Sequence, residues 1–328
     1  MQRTKIEWAD FSYNPVVGCS KVSAGCANCY AKAMVHRFPW MTGTHYPDEA
    51  GNNSFGWDGK AHFFLERLEE PFRLRPGKDS PHRIFVCSMS DLFHESLTNE
   101  QIAAVFGVMA ATPQHQYVVL TKRLQRAKYW FSFVGATADH YGQAESVICM
   151  DNMLRLGDTI DTAQADIITQ RERWPLPNVV IGASVENQKA ADERIPLLLQ
   201  IPARWRGVSV EPMLGPVELT RWIGPNQYCD HFLKYPSEDD VKSGVIDCSR
   251  PENVTGKCSA ENCVFGKLFS PIVICGAETG PGKRPFNDEW ALDLRDQCKS
   301  AGAPFFFKKD GAGKPTLRGV EYHEWIGE

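Results

Sequence analysis

At 328 residues the chain has the length of two average domains or of one α/β barrel. Its 43% hydrophobic and 23% charged residues exclude a disordered, collagen-like or coiled-coil chain and predict a sizeable core. Lys plus Arg at 36 against Asp plus Glu at 40 gives a net charge of −4, which excludes a sequence-wide basic field for non-specific nucleic-acid binding. Any such contact must be local.

Short β-branched or aromatic runs recur along the chain, each followed by a helical stretch, which predicts the βαβ alternation of a parallel sheet or barrel. The first apolar segment runs from Ile6 to Val17, and the second is Arg83 to Ser88, leading into a helix over Asn99 to Ala111 that opens on a Thr98/Gln101 capping box. The third strand is Gln116 to Thr121, the fourth Asn178 to Ser184 and the fifth Gly207 to Val210, each with a helix expected after it. The sixth, Pro271 to Gly276, precedes a helix with Asn287 as N-cap and Gly302 just past its end. Pro304 to Lys308 is the seventh. Three stretches interrupt the alternation and read as insertions into one scaffold: 41–62, rich in Gly and Asn; 135–177, polar and helical; and 225–269, which carries four cysteines. The expected fold is therefore α/β, a partial or complete parallel β/α (TIM-like) barrel forming a single domain over 1–328 with a Cys-rich insertion.

No apolar run reaches the length of a membrane span, and Met1 to Glu7 lacks the apolar core of a signal peptide, so the expected location is the cytoplasm, with no membrane partner. Eleven cysteines, an odd number in a chain read this way, point to metal or cluster ligation by the clustered ones before disulfides. Cys87, Cys149, Cys275 and Cys298 are dispersed and read as small core residues.

Four strand ends share one pattern, small residues followed by an acid: Ser88-Met89-Ser90-Asp91, Ser184-Val185-Glu186, Ser209-Val210-Glu211 and Gly276-Ala277-Glu278. In a parallel barrel these carboxylates ring the mouth where barrel enzymes keep their active sites. Taken singly, each also reads as a cap for the next helix. Cys19, Cys26 and Cys29, spaced C-x6-C-x2-C, follow the first apolar segment, where a barrel loop begins. A structural zinc needs four ligands, so three thiols point first to a [4Fe–4S] cluster with one iron left open; the alternative is a zinc knuckle completed by a distant Cys or His. His94 reads either as a residue facing that site or as a structural histidine. Gly280 to Arg284 reads as an anion-binding turn or a solvated basic loop.

Together, Asn14 to Cys19, Gly25 to Ala31, Ser88 to His94, Leu120 to Arg123, Gly182 to Glu186 and Phe305 to Lys308 resemble the phage Gp37/Gp68 family, which is similar to radical S-adenosylmethionine (SAM) enzymes. The usual motif of those enzymes is C-x3-C-x2-C with an aromatic before the last cysteine. Here the first gap is longer, Asn28 holds the aromatic position, and Tyr30 follows Cys29. The resemblance implies a barrel of the radical SAM type in which Cys19, Cys26 and Cys29 hold a [4Fe–4S] cluster. SAM then binds the fourth iron and is cleaved reductively to a radical that abstracts a substrate hydrogen.

The resemblance maps the SAM ammonium to Ser88, Ser90 and Asp91, with the Asp91 carboxylate the strongest acceptor; Lys122 and Arg123 read either as partners of the SAM carboxylate or as exposed helix-start charges, and Ser184 and Glu186 suit the ribose hydroxyls. Glu211 and Glu278 serve SAM or substrate. No residue is singled out as catalytic on the substrate. The family also implies a phage or prophage origin, a small-molecule, nucleotide or DNA substrate that is modified or repaired, and an electron donor such as flavodoxin or ferredoxin.

Cys229, Cys248, Cys258 and Cys263 lie within 35 residues of the last insertion, with His231 nearby. They read as a second site, zinc or an auxiliary iron–sulfur cluster, or as free cysteines of a loop. The competing class for the whole protein is a structural zinc protein that binds nucleic acid or protein without radical chemistry.

Overall fold

The computed structural model describes residues 1–38, 46–47, 53–54, 57–75, 81–141, 145–157, 174–223 and 271–326. Its strands are β1 (Gln2–Arg3), β2 (Phe11–Tyr13), β3 (Val16–Val17), β4 (Tyr46–Pro47), β5 (Asn53–Ser54), β6 (His62–Phe63), β7 (His82–Val86), β8 (His115–Thr121), β9 (Val179–Ser184), β10 (Trp205–Val210), β11 (Ile272–Cys275) and β12 (Phe305–Phe307). The helices are α1 (Tyr30–Arg37), α2 (Asn99–Ala111), α3 (Leu124–Tyr141), α4 (Glu145–Leu156), α5 (Gln188–Leu198) and α6 (Asp288–Ala301).

One sheet of eight strands runs in the order β1-β2-β7-β8-β9-β10-β11-β12. Every neighbouring pair from β2 to β12 is parallel, and only the short β1 pairs antiparallel. Sequential order without a reversal means that the sheet is wound in one direction, as in a TIM-like architecture, instead of about a central switch point. The expected seven strands all form. The helix expected after the fifth strand is absent among the described residues: 211–223 form turns.

Alternation along the strands separates two cores. Tyr117, Val119, Val179, Ile181, Val208, Val210, Val273, Phe305 and Phe307 face outward and pack with buried residues of α2, α3, α5 and α6. Val118, Val180, Ile272, Ile274 and Phe306 face inward with Trp8, Trp325 and Ile326. Trp8 stacks on Trp325 with ring centroids 6.2 Å apart, and Trp325 Nε1 donates to Gln116 Oε1 at 2.6 Å. The segment that carries Trp325 also covers the exposed edge of β12: Phe307 N donates to Tyr322 O at 2.7 Å, and Phe306 pairs with His323.

Helix ends follow local chemistry. Thr98 and Gln101 form the reciprocal capping box of α2, Asn187 and Asn287 cap α5 and α6, and Gly302 closes α6 at φ 66°. The interrupting stretch 135–177 begins inside α3, which runs unbroken to Tyr141, and continues as α4. Among the described residues no helix is long and apolar enough to cross a membrane.

Candidate functional site

The inner face changes character along the strands. Toward their carboxyl ends the inward apolar positions give way to Lys122, Ser184, Glu186, Glu211, Glu278 and Lys308. The three-cysteine loop lies over this end. It leaves β3 through Gly18, whose φ of +95° and whose close approach to the Lys60 carbonyl, 2.3 Å from where a Cβ would sit, require glycine. Ala24–Cys26 form a single 3-10 turn, and Cys29 stands at the N-cap position of α1, beside the positive end of that helix. All three thiols are free and half-buried.

The loop is clamped at both ends. On the Cys19 side, Gly18 N donates to Met89 O at 3.1 Å, Ser90 Oγ donates to Gly18 O, and Asn14 Oδ1 accepts from Ser88 Oγ and Met89 N, each at 3.1 Å. Ser20 N donates to His94 Nε2 at 3.2 Å, while Arg123 Nη2 donates to Ser20 O at 3.1 Å and to Ser20 Oγ at 2.7 Å. Ser96 N donates to His94 Nδ1 at 3.2 Å and Ser96 Oγ, which donates to Ala61 O and accepts from Ala61 N, lies 3.0 Å from the same nitrogen, so both ring nitrogens of His94 are engaged. His94 thus fixes the loop and does not present a free ring nitrogen to the mouth.

On the Cys26–Cys29 side, Asn28 Nδ2 donates to Glu278 Oε2 at 3.1 Å and to Gly282 O at 3.0 Å. Arg284 Nη1 reaches Ala24 O at 3.0 Å, and Gly25 N donates to Glu186 Oε1 at 3.4 Å. Asn28, at the position where the usual motif has an aromatic, is therefore a structural tie.

The four strand-end acids do converge on one end of the sheet, and each has its own cation. Glu186 pairs with Arg194 at 2.9 Å, Glu211 with Lys308 at 2.9 Å, Glu278 with Arg284, and Asp91 faces Arg123 Nε at 4.0 Å. Asp91 also accepts from Thr121 Oγ1 at 2.7 Å, Phe93 N at 3.0 Å and Lys122 N at 3.0 Å, which ties the ends of β7 and β8 together. Taking the ammonium of SAM would require it to exchange those donors. Hydrogen bonds from Arg284 and Asn28 outweigh burial and bring the Glu278 carboxyl down to about 2.

Arg123 is spent inside the protein, on Ser20, Asp91 and both carboxylate oxygens of Glu95. Arg284 is likewise spent, so the loop around Gly280 and Gly282 straps the cysteine loop instead of offering a free anion site. Lys122 and Ser184 are the two SAM-contact candidates whose side chains make no hydrogen bond or ion pair among the described residues. The charge of Lys122 acts on both Cys26 and Glu186.

Burial, together with the charge of Asp91 and against the pull of Arg123, pushes the Cys19 thiol up to about 11. Burial also raises Cys26, but backbone hydrogen bonds at Val22 and Ser23 and the charge of Lys122 bring its net value below the ordinary thiol range. Cys87, Cys149, Cys275 and Cys298 are buried in the core as expected, and burial raises each of their thiols.

Among the described residues, no group of three or more His, Cys, Asp or Glu side chains draws together as a single ion requires. Cys229, His231, Cys248, Cys258 and Cys263 lie outside the described residues. The sequence reading did not single out Ser20, Glu95 or Arg194; Asn14 entered it only within the family-like segment Asn14 to Cys19, and Arg284 only as the end of the Gly280 to Arg284 turn, which the structure ties to Glu278.

Fold and site define an α/β protein with a single-wound parallel sheet and a clamped three-thiol loop over its carboxyl-terminal end. The chain belongs to the family described as "Protein of unknown function (DUF5131)", whose model matches residues 3–322. No curated protein and no solved structure matches it.

Proposed function

We propose that this protein is a radical SAM enzyme in which Cys19, Cys26 and Cys29 hold a [4Fe–4S] cluster and SAM binds the iron that no thiolate reaches. The observation that carries the reading is three half-buried thiols on one loop, clamped at both ends, at the carboxyl end of a parallel sheet. This donor set fits a cluster on chemical grounds. Each thiolate of a cluster bonds a different iron, so the sulfurs stand apart, whereas one zinc ion holds four ligands within about 2.0–2.3 Å of a single point. The resemblance to the phage Gp37/Gp68 family supports the same reading. When bound, the cluster and SAM supply one-electron chemistry that ends in hydrogen abstraction from a substrate.

The chain's own residues bind and shield. Lys122 offers a free ammonium to the carboxylate of SAM, and Ser184 a hydroxyl to its ribose. Glu211 keeps its Oε2 only loosely engaged, with Ser209 Oγ at 3.5 Å, and is the acid best able to accept the ammonium. Asp91 and Glu278, committed to several protein donors, build the walls, and Glu186 is held by Arg194 at 2.9 Å and Gly25 N at 3.4 Å. Below them Val180, Ile274 and Phe306 exclude water from the inner face. In this reading the substrate is a small molecule, a nucleotide or DNA, and a protein such as flavodoxin or ferredoxin serves as electron donor.

Anaerobically reconstituted protein, given SAM and a strong reductant, is expected to release 5′-deoxyadenosine, and Cys26→Ala to abolish both cluster and product. Undiminished product from Cys26→Ala would contradict the proposal.

A further inference from the structure

We infer that Arg123, with Glu95 as its counter-ion, is a positioning residue that sets the charge felt by the Cys19 sulfur, and through it the reduction potential of the centre held by Cys19, Cys26 and Cys29. The inference rests on the iron–sulfur reading above. Arg123 follows β8 by two residues, and its backbone N donates to Thr121 Oγ1 at 2.9 Å. The residue is only 7% exposed, and Nη2 stands 4.0 Å from the Cys19 sulfur while bonding both oxygens of Ser20, the next residue. A guanidinium does not deprotonate in proteins, so this charge is present at every working pH.

Two anions oppose it. Asp91 is buried and committed to Thr121, Phe93 and Lys122. Glu95 reaches Nη1 from outside with a side chain 64% exposed, so it can be neutralised without disturbing the interior. Hydrogen bonds to the sulfurs and net charge tune the potential of such centres, because a nearby cation favours the more negative, reduced state. Removing Arg123 should therefore lower the midpoint potential. Neutralising Glu95, which leaves more of the guanidinium charge uncompensated beside Cys19, should raise it. A role limited to holding Ser20 in place would not move the two variants in opposite directions.

The test is a potentiometric titration of the reconstituted holoprotein followed by electron paramagnetic resonance, with iron, sulfide and circular dichroism measured first. Relative to unaltered protein, Arg123→Met is expected to titrate at lower potential, Glu95→Gln at higher potential, and Arg123→Lys between Arg123→Met and the unaltered protein. An unmoved or lowered midpoint in Glu95→Gln at full iron content overturns the inference whatever Arg123→Met does, and leaves the cluster reading intact. Unaltered protein that takes up no iron overturns both.

Discussion

His115 begins β8 at the end of the sheet away from the cysteine loop, fully buried, with Nε2 bonded to Leu74 O at 3.1 Å and its ring stacked on His82 at 5.8 Å. Burial, with a smaller contribution from His82, depresses its pKa to about 4, against roughly 6.5 in an unfolded chain. Between these values the unfolded chain carries a proton that the folded one refuses. The contribution is complete above about pH 6.5 and is lost as pH falls through 4, on the order of 2–3 kcal/mol. Urea unfolding at pH 7 and pH 4.5 should show a steeper loss of stability for the unaltered protein than for His115→Gln. Equal losses would remove His115 from the account. The histidine at the cysteine loop, His94, is also held below its ordinary value by burial and by Arg123, which matches a neutral ring acting as acceptor for Ser20 N.

At the scale of elements, α2 and α4 pack closely at Gly107. A Cβ there would lie 2.4 Å from the Cys149 carbonyl oxygen and 2.7 Å from Met153 Cβ. Neither neighbour can yield without moving the α4 backbone, so Gly107→Ala should destabilise by about 1–3 kcal/mol, read as a lowered denaturation midpoint with an unchanged slope. A neutral substitution would mean that the two helices do not pack at this distance.

Elements of this kind were legible where local chemistry decides them. The seven parallel strands, the capping box of α2 and both ends of α6 could be read directly, since β-branched runs and cap residues act over a few positions. The end of α3 could not. Its last turns are polar and therefore resemble the insertion that follows, and what extends them is tertiary, a stripe of Trp130, Phe131, Val134 and Ala138 buried against the core. The turns over 211–223, where a helix was expected, follow the same rule, because Glu186 O takes the Leu214 amide and Gly276 O the Met213 amide, drawing the chain across the sheet ends.

For the molecule as a whole, the site was half legible. Four acids after four strands announced their common end of the sheet, because parallel strands deliver equivalent positions to one face. Their cations did not, because Arg123, Arg194, Arg284 and Lys308 come from different parts of the chain and meet the acids only through the fold. Pairing turns what reads as an acidic ring into a compensated wall, and among the described residues Lys122 is a cation at this end without a hydrogen-bonded or ion-paired side chain. The measurement that bears most directly on the central claim is iron, sulfide and zinc in anaerobically reconstituted protein, compared with a variant carrying Cys19→Ala, Cys26→Ala and Cys29→Ala together. The account predicts that the variant lacks about four irons and about four sulfides per chain that the unaltered protein holds, whatever the Cys-rich insertion binds in both. Equal iron in the two proteins, or a difference of about one zinc alone, would contradict it.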